Sequence, residues 1–267
     1  MHIPPISYYR MKKIVGDFIV KENVKLHSLY GLLKLMPANG GLLPEIKPGQ
    51  FVQVRVDGSK DTFLRRPISI NFVDREANEL WLLVRNAGEG TRHLLELAEG
   101  SVVNLIVPLG NGFSMPGDRS ARILLVGGGV GVAPLLEFGK TLRNNGYEPE
   151  FILGARSGSD LLEIDLFERY GEVYISTDDG SRGEHGLVTQ HSVMNTHYDF
   201  IYCCGPVPMM KAVAAKAVEM EAECEVSLEN IMACGLGACL CCVEKTVKGN
   251  VCVCTDGPVF NIKQLTW

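Results

Sequence analysis

The first 202 residues contain no cysteine; all nine cysteines fall between Cys203 and Cys254. Thiols used singly to fill a core would be scattered along the chain, so this confinement points to a shared task. An excess of positive charge is also missing. Lys and Arg number 26 against 31 Asp and Glu, a net charge of -5, which leaves no basic footprint for nucleic acid. No apolar run reaches the roughly 20 residues needed to cross a bilayer. The opening stretch, Met1-His-Ile-Pro-Pro-Ile-Ser-Tyr-Tyr-Arg10, is broken by proline and polar residues where a signal peptide needs continuous apolar sequence. The expectation is a cytoplasmic protein with no membrane or nucleic-acid partner, whose thiols stay reduced. Internal repeats and low-complexity linkers are absent too, so its modules should pack directly against one another.

What is present is a globular composition, 46% hydrophobic and 21% charged with 29 glycines, in 267 residues. That length accommodates two domains with cores of their own. From Lys12 to about Leu109 short aliphatic and β-branched runs alternate with turn residues. Strands are expected at Val15–Val20, Val24–Met36, Gln50–Val56, Leu64–Val73, Leu80–Arg85 and Val102–Val107. One short helix, Thr91–Leu97, interrupts them. Six strands in about a hundred residues suggest a small antiparallel β-barrel. Near Ala121 the rhythm changes to strand and helix in turn: Ile123–Val126, helix Ala133–Arg143, Glu150–Gly154, helix Leu161–Tyr170, Val173–Ser176, Phe200–Cys203 and helix Val207–Met220. Such alternation argues a parallel sheet covered by helices. The expected division is 1–117 barrel, 118–225 α/β domain and 226–267 cysteine-rich segment.

In that last segment Cys234, Cys239 and Cys242 are separated by four and two residues, with Cys254 further on. This is the ligand spacing of a plant-type [2Fe-2S] cluster. Gly235, Leu236, Gly237 and Ala238 let backbone wrap closely around a bulky inorganic core. Cys241 competes with Cys242 as third ligand and Cys252 with Cys254 as fourth; Cys242 keeps the interval, and Cys254 leads into the turn Asp256-Gly257-Pro258. A structural zinc site would also take four cysteines, although it usually shows two short Cys-x-x-Cys pairs.

Other stretches suit a nucleotide. Gly127-Gly-Gly-Val-Gly131 joins a buried strand to a helix, where amides can cradle a pyrophosphate, although tight packing alone would also choose glycine. Arg65-Arg66-Pro67-Ile68-Ser69 offers guanidinium and hydroxyl groups to a phosphate or a flavin edge. Gly88-Glu-Gly90-Thr91 opens the short helix. Cys203-Cys204-Gly205-Pro206 ends a strand at the carboxyl edge of the α/β sheet, where open sheets bind ligands. Taken singly, these have plain structural readings: a solvated face, a helix cap, buried small hydrophobes.

Together, and in this order, Arg66-Pro-Ile-Ser69, Gly90-Thr91, Gly127-Gly-Gly-Val-Gly-Val-Ala-Pro134 and Cys204-Gly-Pro206 resemble the ferredoxin-NADP reductase superfamily. Thr177-Asp-Asp-Gly-Ser181, the cysteine run and Cys254-x-Asp-Gly-Pro-Val-Phe260 look like one branch, the electron-transfer subunits of two-subunit, NAD-dependent dihydroorotate dehydrogenases. The resemblance implies FAD contacts from Arg66, Pro67, Ile68 and Ser69, from Leu83, Val84 and Arg85, and from Gly90 and Thr91. It implies nicotinamide-side contacts at Gly128, Gly129, Gly131 and Cys204, the last as the catalytic candidate. Ile68 stands where the superfamily usually has an aromatic residue. Arg156-Ser157 could accept a 2′-phosphate, which leaves NADPH open beside NAD.

A chain carrying nicotinamide, flavin and cluster converts two-electron into one-electron transfer, because a flavin handles both. An FMN-bearing (β/α) barrel takes about 250 residues, for which this chain has no room. The resemblance therefore implies a separate FMN-containing catalytic partner, in a heterotetramer of two copies of each chain, with electrons running from dihydroorotate through FMN, the cluster and FAD to NAD. Small flavin subunits of ferredoxin-dependent NAD(P) transhydrogenases and of sulfhydrogenases share the same build and are the rival reading. A zinc-stabilised binding module with no redox role is a third.

Overall fold

The computed structural model describes residues 13–267; the opening stretch considered for a signal segment lies outside them. The N-terminal part is one curled antiparallel sheet. Its strands are β1 (Ile14–Lys25), β2 (Tyr30–Pro37), β3 (Phe51–Val54), β4 (Arg66–Ser69), β5 (Phe72–Asp74), β6 (Glu79–Arg85) and, after helix α1 (Glu89–Leu95), β7 (Val102–Leu109). They lie in the order β4-β3-β7-β1-β2-β6-β5. Phe18, Val52, Val54, Leu82, Val84 and Leu105 fill its interior.

The sheet has seven strands where six are expected. The run Leu64–Val73 breaks at Ile70-Asn71, whose amides donate to Gln50 and Trp81 carbonyls on different neighbours. The expected strand Val24–Met36 is instead the second half of a hairpin, because the amides of Leu26 and His27 turn back onto the Tyr30 carbonyl. Helix α1 begins two residues early, at Glu89.

The second part contains β8 (Ile123–Gly128), α2 (Ala133–Asn144), β9 (Pro149–Ala155), α3 (Ile164–Phe167), β10 (Glu172–Thr177), β11 (Glu184–His185), β12 (Phe200–Cys204), α4 (Val207–Glu219) and β13 (Glu223–Ser227). These strands are parallel. Alternation along β8 decides what each face buries: Ile123 and Leu125 meet α2, whereas Leu124 and Val126 meet α4. The expected helix Leu161–Tyr170 is reduced to one turn, since Glu163 takes a left-handed conformation (φ 56) and cannot continue a helix from Leu161.

The cysteine-rich tail is bound more closely than an appendage. After the hairpin β14 (Val243–Thr246) and β15 (Gly249–Cys252) and the turn of helix α5 (Val253–Asp256), strand β16 (Val259–Asn261) joins the second sheet antiparallel to β13. The sheet order is thus β11-β10-β9-β8-β12-β13-β16, and β13 straddles the expected division at 225/226. Cys242, Val253 and Cys254 share a core with Phe51 and Leu109 of the first sheet and Met210 of α4.

Candidate redox-cofactor site

Strand β4 carries Arg66, Pro67, Ile68 and Ser69 along the outer rim of the first sheet, paired with β3. Two neighbouring cavities open beside it. One, of about 370 Å³, lies between Arg66, the loop Asp61–Leu64 and the start of α1 at Gly88, Gly90 and Thr91. The other, of about 290 Å³, is walled by all three parts of the chain. The N-terminal part supplies Arg66, Pro67, Ile68, Ser69, Leu83 and Arg85 from its sheet and Thr91 from α1; the glycine loop supplies Val130 and Ala133; the tail supplies Leu228 to Asn230, Met232 and Pro258. The shared Arg66, Ala87 and Thr91 make the pair a continuous groove, with polar and apolar side chains in both compartments. Arg66 offers a cation to phosphates and Pro67, Ile68 and Leu83 an apolar bed to a ring, a lining that fits a flavin dinucleotide.

The expected residues are not all at this groove. Val84 faces the interior of the first sheet and lines neither cavity. Arg65 turns away from Arg66: its guanidinium donates to the Gln53 carbonyl (3.2 Å) and to the carbonyl and side chain of Asn104, which makes it a tie between strands. Gly128, Gly129 and Gly131 belong to the loop whose Val130 lines the second cavity. A Cβ on Gly131 would lie 2.5 Å from the Cys204 carbonyl oxygen and 2.6 Å from Gly205, so only glycine lets the loops after β8 and β12 meet. Cys204 is fully buried, and burial pushes its thiol well above the usual range, with the Glu229 carboxylate adding to the rise. It is a neutral thiol.

Sequence reasoning missed Phe51, Leu228, Glu229 and Asn230. No motif marks them; Phe51 reaches the groove from β3, and the other three because β13 ends there and the tail folds back. Glu229 shares the cavity wall with Arg85, and enclosure raises its carboxyl while Arg85 draws it down.

The cysteine loop is held against β7 by Asn111. Its side chain donates to the carbonyls of Thr255 (3.1 Å) and Asp256 (2.9 Å), and its amide to that of Gly257 (2.6 Å). Among the described residues no group of three or more His, Cys, Asp or Glu is gathered as for a metal ion. The four expected ligands lie instead as two touching pairs, Cys234 with Cys239 and Cys242 with Cys254. Backbone amides are aimed at the sulfurs: Leu236 N at Cys234 Sγ (3.3 Å), Gly237 N at Cys254 Sγ (3.1 Å) and Cys254 N at Cys242 Sγ (3.4 Å). The Leu236 amide, first among several, draws the Cys234 thiol down to about 6, a thiolate at neutral pH. Burial beside Cys242 pushes Cys254 up to about 12, so a thiolate there needs a cationic core close by. Such a donor set fits an iron-sulfur cluster. Cys252 touches the Cys242 side, and Cys241 is exposed.

A curled antiparallel sheet with a flavin-shaped groove, a parallel nicotinamide-type sheet and a thiolate loop between them define a flavin- and cluster-containing electron-transfer module of the ferredoxin-reductase type. Residues 125–215 match the oxidoreductase NAD-binding domain, and residues 229–266 match the iron-sulfur cluster binding domain of dihydroorotate dehydrogenase B. The electron transfer subunit of dihydroorotate dehydrogenase B (NAD(+)) from Shouchella clausii is 42% identical, covering 96% of this chain and 99% of that one. Its counterpart from Fusobacterium nucleatum is 39% identical, covering 92% and 96%. A solved NADH-dependent reduced ferredoxin-NADP oxidoreductase, studied for flavin-based electron bifurcation, superposes with a TM-score of 0.82 at 29% identity, covering 94% of this chain and 90% of that one. The chain belongs to the family of dihydroorotate dehydrogenase B electron transfer subunits.

Proposed function

We propose that this chain carries electrons from an FMN-containing dihydroorotate dehydrogenase subunit through a [2Fe-2S] cluster and FAD to NAD, in a heterotetramer of two copies of each chain. The observation that carries this reading is the cavity of about 290 Å³, where the flavin strand β4, the nicotinamide-side loop and the tail leading to Cys234 form one wall. When bound, the flavin supplies the exchange between electron pairs and single electrons. The protein's part is placement. Arg66 and Thr91 hold the flavin phosphates, and Pro67 to Ser69 with Leu83 and Arg85 bed its ring. The loop containing Gly128, Gly129 and Gly131 seats the nicotinamide dinucleotide, and Cys204, fully buried behind Gly131, backs that loop. Cys234, Cys239, Cys242 and Cys254 hold the cluster.

The proposed functional division is barrel to 117, dinucleotide domain to 225 and cluster segment beyond, with β13 and β16 joining the last two in one sheet. Among the described residues no helix is long and apolar enough to cross a membrane, and reduced thiols in this number suit the cytoplasm.

Anaerobic co-purification with the neighbouring dihydroorotate dehydrogenase chain tests the reading. The expected product is a yellow-brown complex that reduces NAD on addition of dihydroorotate. A chain that instead purifies with a ferredoxin-reducing flavoprotein, the reading favoured by the 29% identical structural relative, would overturn it.

A further inference from the structure

Gln53 is completely buried on β3, yet neither its Nε2 nor its Oε1 has a hydrogen-bond partner within the chain. Alternation along the strand explains where it goes. Val52 and Val54 fill the interior of the first sheet, so Phe51 and Gln53 project from its outer face, onto which the tail folds. There the amide lies on the cysteine loop: a Cβ on Gly235 would be 2.7 Å from Gln53 Cγ and 2.9 Å from its Nε2. Gly235 has φ +69 and directly follows Cys234. Arg65, donating to the Gln53 carbonyl at 3.2 Å, fixes the strand from which the side chain reaches.

A leucine or methionine would fill this space without stranding a polar group in a low-dielectric interior, so packing does not account for an amide here. The neighbouring Leu236 and Gly237 amides already point at Cys234 and Cys254 sulfurs. We infer that the Gln53 side-chain amide donates a hydrogen bond to a sulfur of the bound cluster on its Cys234 side, and so acts as a positioning residue that raises the cluster's reduction potential. The inference rests on the cluster assignment above. Its physical basis is that reduction adds negative charge to the sulfurs, and a fixed donor favours the more negative state.

The test uses the purified, cofactor-loaded chain. In Gln53→Leu, iron and FAD content stay at the wild-type level. At a fixed ambient potential, the ratio of reduced to oxidised cluster, read by EPR, falls about tenfold, equivalent to 59 mV for a one-electron couple. The flavin potential stays where it was. If that variant does not assemble its cluster, wild-type protein carrying side-chain 15N-glutamine decides: pulsed EPR of the reduced cluster then shows coupling to one amide nitrogen. Gln50 does not confuse the signal, since its Nε2 is committed to the Gly110 carbonyl at 2.7 Å. An unchanged ratio in Gln53→Leu with full iron, or no 15N coupling in the wild-type protein, overturns the inference. A wild-type chain without iron would overturn the cluster assignment beneath it.

Discussion

Arg66 lines both cavities at once, with its aliphatic stem against Gly90. A phosphate paired with it loses a charge-assisted contact in Arg66→Ala, worth about 1.5–3 kcal/mol. FAD affinity should fall by about ten- to a hundredfold while circular dichroism and cluster iron remain, and stoichiometric FAD in the purified variant would refute the contact. Cys239 is exposed on the cysteine loop yet touches Cys234. Cys239→Ser should lose the visible iron-sulfur bands and most of its iron. Full iron in that variant would move the ligand to Cys241 or Cys252. These residues were readable from the sequence because each sits in a short motif whose spacing reports its chemistry. Gln53 and Glu229 were not, since nothing within a few positions of either says what will fold onto it.

Elements show the same division. Strand β8 and nearly all of β12 are buried and read as apolar runs, β9 carries such a run from Phe151 to Leu153, and the strand-helix alternation around them was plain. Strand β16 has three residues and pairs with β13 only because the tail returns, so no local pattern announces it. The short α3 has a different cause in Glu163. Asn71 Nδ2 donates to Glu163 Oε1 at 2.8 Å, while Asn71 Oδ1 and Glu163 Oε2 are both buried without partners. One proton on Glu163 would satisfy both. Burial raises this carboxyl to about 7, against the Asn71 hydrogen bond that lowers it. A folded pKa above the unfolded one means the folded state holds the proton more tightly. The contribution is therefore full below about 4.5, declines as pH rises towards 7, and is gone above it. Glu163→Gln, whose amide can donate to Asn71 Oδ1 at any pH, should flatten this decline and add on the order of 2 kcal/mol at pH 8. Denaturant titrations at pH 5 and pH 8 measure it; an equal slope with pH in both proteins would place the titrating group elsewhere.

At the scale of the whole molecule, the second sheet is fastened to the first by α2. Glu137 accepts from the Val73 amide at 2.9 Å, and Lys140 donates to its carbonyl at 2.6 Å while lying over the Phe72 ring. With that seam closed, the cysteine loop is left facing outward, where Cys239 and Cys241 are exposed. Apolar side chains surround it: Ile231 is 83% exposed, Leu240 66% and Leu236 48%. Leu240 is moreover held at φ 55, a conformation unfavourable for a side chain of its kind, so the loop presents it outward at a cost in backbone strain. Exposed apolar residues grouped around a redox centre are what a partner that must exchange electrons with it would cover. Burying one leucine is worth about 1.5–3 kcal/mol. Leu240→Glu should therefore weaken association with the catalytic subunit by about ten- to a hundredfold. Iron, FAD and electron transfer from NADH to a small artificial acceptor should stay unchanged, since none of these needs the partner. Isothermal titration of the two purified subunits reads the affinity, and a variant that binds as tightly as the wild-type chain would put the docking face somewhere other than the cluster loop.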